Sequence, residues 1–121
     1  MLAPVSAPLL LHITSAEQWN VAVADGVLID PSLEHEGFIH CSTPDQVLIP
    51  ANDRYAGRRD LLLLVVDPSA IDAEVVFEDS YGSGMAFPHV YGPIPTDAVC
   101  GVVDFPPGPD GRFRLPPELS T

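Results

Sequence analysis

Gly37-Phe38-Ile39-His40-Cys41-Ser42 is an apolar run that carries a histidine and a hydroxyl two residues apart. Read as a strand, its period-two alternation turns Phe38, His40 and Ser42 to one face and Ile39 and Cys41 to the other. A core strand avoids such a face, because a buried imidazole or hydroxyl without a partner costs about 1–3 kcal/mol. His40 and Ser42 therefore read as the lining of a cleft, with Cys41 packed into the core behind them.

The same grammar occurs twice more, in His12-Ile13-Thr14 and His89-Val90-Tyr91. In each segment the two polar groups share a strand face and the residue between them packs. Three such segments predict one concave surface carrying His12, Thr14, His40, Ser42, His89 and Tyr91. Imidazole and hydroxyl groups exchange hydrogen bonds with ribose hydroxyls, amides or phosphate oxygens, so the expected partner is a small-molecule ligand. The bland reading of any one of these histidines is a satisfied structural side chain. His35, between Glu34 and Glu36, reads as a solvated surface residue.

Around these segments the expected elements are short. Leu9 to Thr14 reads as a strand with Leu11 and Ile13 toward the core. Ser15 and Gln18 have capping-box spacing for a helix whose apolar stripe is Trp19, Ala22 and Val23, ended at Asp25-Gly26. Asp30 to Glu36 reads as a loop or a single turn. Thr43-Pro44-Asp45-Gln46 repeats the helix-start pattern, and Pro50 is expected to divide the segment up to about Tyr55 into two helical pieces. Asp60 to Asp67 is an apolar run bounded by acids, the profile of a central strand buried on both faces. Further strands are expected at Ala73 to Glu78, Val99 to Phe105 and Arg112 to Leu115, with a mobile glycine-rich loop at 79–84.

At 121 residues the chain is long enough for one core. Residues 1–8 read as a loose leader and 9–121 as a single domain. Seventeen acidic residues against five arginines and no lysine give a net charge of -12, which disfavours nucleic acid and anionic membranes as partners. The apolar N-terminus lacks a basic leader and is cut by Pro4 and Pro8, so a cytoplasmic protein is the default. Cys41 and Cys100 lie in apolar runs without paired spacing and read as buried reduced thiols. Three histidines invite a zinc site, but none has helical i, i+3 or i+4 spacing to another, and no metal is expected. Glu78, ending a strand before the loop that leads to His89, is a candidate acid/base or ribose-orienting group beside its bland reading as a solvent-facing acid.

His-Ile-Thr at 12–14, the run Ser32 to Ser42, Gln46, the leucine run to Asp67 and Phe-Pro-His-Val-Tyr-Gly-Pro at 87–93 together resemble the bacterial family known as domain of unknown function 952. The resemblance implies an α+β, ADP-ribosyltransferase-like fold, a bent split β-sheet around a cleft with a few short outer helices. More distantly, His12-Ile13-Thr14 and Ile39-His40-Cys41-Ser42 resemble the two histidine strands of the NAD-dependent RNA 2′-phosphotransferases. That similarity implies NAD as substrate, with His12 and Thr14 on the nicotinamide riboside and His40 and Ser42 nearby. The arginines, at 54–59 and 112–114, stand apart from these motifs in the sequence, so a phosphorylated RNA is not the expected substrate.

The expected function is a transferase or hydrolase acting on NAD or a related nucleotide. His12, His40 and His89 are its catalytic candidates, and Thr14, Ser42, Tyr91 and Glu78 its binding candidates. The alternatives are a non-catalytic small-ligand binder and a three-histidine metal-assisted hydrolase.

Overall fold

Leu10–Ser15 (β1), Leu61–Val66 (β4) and Val99–Asp104 (β8) form an antiparallel sheet in the order β1-β4-β8. The structure, a computed structural model, describes residues 9–79 and 82–119, so the expected leader, Ser80 and Tyr81 lie outside it. As its composition requires, β4 is the middle strand, with His12 opposite Leu64 and Thr14 opposite Leu62. Both faces of this sheet are covered. Leu11, Leu61, Leu63 and Val65 pack with Phe105 and Phe113, while Leu10, Leu64 and Val66 pack with Ile39, Cys41 and Val90. Each fully buried aliphatic side chain contributes about 1.5–3 kcal/mol. The face of β1 that carries His12 is therefore itself a core face, an outcome the expected one-sided strand did not include.

Ile39–His40 (β3), Phe87–Val90 (β6) and Val75–Glu78 (β5) form a second antiparallel sheet in the order β3-β6-β5, which sets His40 opposite His89. Leu11 and Ser42 exchange backbone hydrogen bonds of 2.7 and 2.8 Å and tie the two sheets together. Val27–Leu28 (β2) pairs with Ile94–Pro95 (β7) in a separate ribbon. The architecture is α+β, three helices on small antiparallel sheets. No helix among the described residues is long and apolar enough to cross a membrane.

The first helix, Ala16–Asp25 (α1), starts where its cap predicts, with Ser15 Oγ accepting from the Gln18 N–H at 3.1 Å. Its stripe is narrower than expected: Ala22 is buried and Trp19 packs on the core, but Val23 is 58% exposed. Asp30 to Glu36 is not a loop. Asp30 caps a six-residue helix, Pro31–Glu36 (α2), by accepting the Ser32 N–H at 2.9 Å, and Pro31 occupies the first turn, where no N–H is needed. Gly37 ends it at φ 88°, a conformation that suits glycine, and turns the chain into β3.

The Thr43–Gln46 signal forms only a turn, in which Gln46 Oε1 accepts the Thr43 N–H at 3.2 Å. The helix proper is Leu48–Arg54 (α3), and Pro50 lies in its first turn rather than splitting it. The expected strand at Arg112 to Leu115 is absent. That segment is irregular and is held to α3 by Asn52, whose Oδ1 accepts the Phe113 N–H at 2.7 Å. Cys100 is exposed rather than buried, because the alternation of the edge strand β8 turns it outward.

Candidate functional site

A cavity of about 340 Å³ is walled by β1, the β3 segment and α3. His12, Asp30, His40, Ser42, Arg54 and Tyr55 line it. His12 is buried, and its Nδ1 donates to the His40 carbonyl at 2.6 Å. A carbonyl only accepts, so the proton sits on Nδ1. Burial lowers the pKa of this imidazole from its ordinary 6.5, against the smaller raising effects of the His40 carbonyl and Asp30. The ring is therefore neutral near pH 7 and its Nε2 is a bare acceptor. That nitrogen is buried and has no hydrogen-bond partner among the described residues.

Asp30 Oδ1 lies 3.7 Å from His12 Nε2. Both atoms accept, and the separation exceeds a hydrogen bond, so the two converge without satisfying one another. The capping bond to Ser32 uses the other oxygen, Oδ2, and leaves Oδ1 free to face the cavity. The Asp30 charge is felt by its neighbours. It adds to burial in raising the Tyr55 pKa and in pushing the Cys41 thiol up to about 12. Cys41 is thus a neutral thiol packed in the core, although it follows β3 rather than lying in it and also borders the cavity.

The other residues of the first two segments take distinct places. His40 directs its Nε2 to the Glu36 carboxylate at 2.7 Å, and its carbonyl fixes His12. Ser42 is buried in the cavity wall. Thr14 donates to Gln18 Oε1 at 3.0 Å and faces an adjoining pocket of about 240 Å³ that shares Asp30 and Tyr55 with the cavity.

The third segment lies behind the second, with the His89 ring edge-on to that of His40 at 5.4 Å. His89 is fully buried, and its ring stacks on Phe38 with centroids 3.9 Å apart and planes at 15°. Its Nδ1 donates to Glu78 Oε1 at 3.0 Å, and the Tyr91 hydroxyl donates to the same oxygen. The Tyr91 bond first and the His89 bond second hold the Glu78 carboxyl below its usual range, and the same contact raises the Tyr91 pKa. Neither His89 nor Tyr91 lines the cavity. The expected single surface of three histidine pairs is therefore two pairs at neighbouring pockets and a third packed beside them. Among the described residues no group of three His, Cys, Asp or Glu side chains is disposed to hold a metal, so the histidines do not converge as the metal-hydrolase alternative requires.

Residues 13–102 match the family described as Protein of unknown function (DUF952). The chain belongs to the DUF952 family. A crystal structure of protein CC0527 from Caulobacter crescentus is 30% identical, with a TM-score of 0.84 over 93% of this chain and 99% of that one. A crystal structure of its double mutant gives 30% and 0.83. The solution NMR structure of CC0527 is 31% identical with a TM-score of 0.77, over 93% of this chain and 97% of that one. No curated protein matches.

The DUF952 match takes in Asp30 and Tyr55, site residues that the sequence reading missed, and begins one residue after His12. Asp30 was legible only as a cap: an Asp before Pro31 signals a helix start, and nothing in the sequence reports that its second oxygen faces His12. Arg54 also lines the cavity, so the arginines are not all remote from the histidine motifs.

Proposed function

We propose that the cavity binds the nicotinamide-riboside end of NAD, or a related N-ribosyl nucleotide, and promotes cleavage of its glycosidic bond, passing the ribosyl group to an acceptor or to water. One observation carries this reading. His12 Nε2, which has no partner among the described residues, and Asp30 Oδ1 are two acceptors 3.7 Å apart, and both side chains line the cavity. The ligand group that satisfies both is a pair of adjacent donors, and the vicinal hydroxyls of a ribose are such a pair. The volume, about 340 Å³, is near the small end of ligand sites, roughly 300–1,000 Å³, and suits one nucleoside with the remainder of the ligand outside.

In this reading the bound substrate supplies a good leaving group, because the bond electrons return to a cationic ring nitrogen. The work of the protein is electrostatic. Asp30 sets a negative charge beside the ribose, where positive charge develops as the bond breaks. His12 Nε2 accepts a ribose hydroxyl, and a site of this kind needs no strong nucleophile, in keeping with the neutral Cys41 thiol. His40 acts as a positioning residue: the Glu36 contact orients its ring and its carbonyl sets the His12 tautomer. Support for an ADP-ribosyltransferase-like fold comes from the two three-stranded antiparallel sheets that meet at Leu11 and Ser42 beside the cavity.

The test is calorimetric titration with NAD together with an assay of nicotinamide release. Binding is expected in the wild type, and Asp30→Asn and His12→Gln are expected to slow release about 100-fold each. Binding without release would turn the reading to a ligand-binding module. No binding of NAD or of nicotinamide riboside would overturn it.

A further inference from the structure

A groove of about 480 Å³ lies against the other side of the cavity wall. It is lined from α3 by Asn52 among others, and it shares Ile49 and Asp53 with the cavity. Its far wall is Arg112, Phe113 and Arg114. Two of the five arginines of a chain with net charge -12 thus stand one helix away from the proposed nucleoside site.

This wall is built rather than loose. Asn52 clamps the Phe113 backbone from both sides, accepting its N–H at 2.7 Å and donating to its carbonyl at 3.4 Å. The Phe113 ring is buried and stacks on Phe105 with centroids 4.7 Å apart. Anchoring the middle residue of an extended segment turns both of its neighbours outward. Arg114 is held by Asp110 through contacts of 3.1 and 3.3 Å. The Arg112 guanidinium has no hydrogen-bond or ion-pair partner among the described residues.

We propose that this groove is an anion subsite that receives the phosphate or pyrophosphate end of a ligand seated in the cavity, with Arg112 as its main contact. The inference rests on the nucleotide reading of the cavity for its ligand. The planar guanidinium fork matches phosphate oxygens, and it is the one unpaired donor set on this wall. The ridge between the two compartments is Ile49 and Asp53, and the Asp53 carboxylate places the anion beyond it, at the arginine side. Arg112 and Arg114 lie outside the residues that match the DUF952 family, so the subsite is argued for this chain alone.

Calorimetry on the full chain tests it with three probes: NAD, ADP and nicotinamide riboside. Arg112→Ala should weaken NAD and ADP about 5- to 10-fold at low salt, as expected for one exposed charge-assisted contact, and leave nicotinamide riboside unchanged. Arg112→Lys should restore part of the loss, and the difference should shrink in high salt. Arg112 is exposed, so an unchanged melting temperature is expected for both variants. If ADP binds through Arg112 while nicotinamide riboside does not bind, the subsite stands and the reading of the cavity falls. If nicotinamide riboside binds and Arg112→Ala leaves NAD and ADP unaltered, the subsite is overturned and the cavity reading stands. Failure of NAD and ADP alike to bind overturns the subsite.

Discussion

His12 and His89 stand in the same three-residue pattern, each on a strand, each buried and each with one bonded ring nitrogen, yet they occupy different surroundings. His12 spends Nδ1 on a backbone carbonyl and turns a bare Nε2 toward Asp30 and a cavity. His89 spends Nδ1 on a carboxylate, which Tyr91 also contacts, and lies flat under Phe38 beside His40 without lining the cavity. Each ring keeps a buried Nε2 with no partner among the described residues, but His12 sets that nitrogen beside the Asp30 carboxylate and lines the cavity, whereas His89 is stacked on Phe38 and lines no part of it. The difference lies in what each strand faces. β1 sits at the junction of the two sheets, and β6 is the middle strand of the second.

The largest test of that contrast is His89→Ala. Removing a fully buried ring that fills the space beneath Phe38 and pairs with Glu78 should cost about 2–4 kcal/mol, read by urea unfolding, with ligand affinity of the remaining folded protein unchanged. Loss of binding without loss of stability would move His89 into the site and erase the distinction.

A smaller effect concerns pH. The folded state holds the His12 pKa below the ordinary 6.5 of the unfolded chain, so the unfolded chain takes up the proton first. The stability tied to neutral His12 is complete above pH 6.5 and is lost as pH falls from there through the lowered folded value. Glu78 and Asp110, whose folded pKa values are depressed from 4.5 and 3.8, lose their contributions only at lower pH. Unfolding measured between about pH 7 and pH 5 should show a decline that is shallower in His12→Gln. An identical slope in the two proteins would place the titrating group elsewhere.

The smallest effect is expected for Tyr91→Phe. Its hydroxyl donates to Glu78 at an exposed position, where water competes for the same contact. Thermal unfolding should show a slight loss, with no change in binding at the cavity. A marked effect on binding would join the two histidine regions into one site.

Much of the frame was legible from the chain. The run of leucines and valines between Asp60 and Asp67 could bury both faces only as a middle strand, and the faces of Ile39, His40 and Cys41 follow from alternation alone. The site was legible in half. His12, His40 and Ser42 announce themselves as polar residues in apolar strands. Asp30 does not, because in sequence it is only a helix cap, and its role depends on β1 arriving opposite the start of α2. Nor does the pattern that flags His89 tell it from His12, since period-two spacing fixes a face but not what covers that face. The arginines were misplaced for the same reason: Arg54 reaches the cavity only because α3 packs across it.

The chemistry proposed for the cavity depends above all on His12 being a neutral imidazole with its proton on Nδ1 and an open Nε2. Nitrogen-detected NMR of the histidine-labelled protein, followed from about pH 8 down to the ordinary 6.5 of an imidazole, measures this directly. A protonated Nδ1 and a bare Nε2 are expected throughout that range, with the Nε2 signal shifting when NAD is added. A doubly protonated ring at the acid end of the range, or a proton on Nε2 with Nδ1 bare, would contradict it.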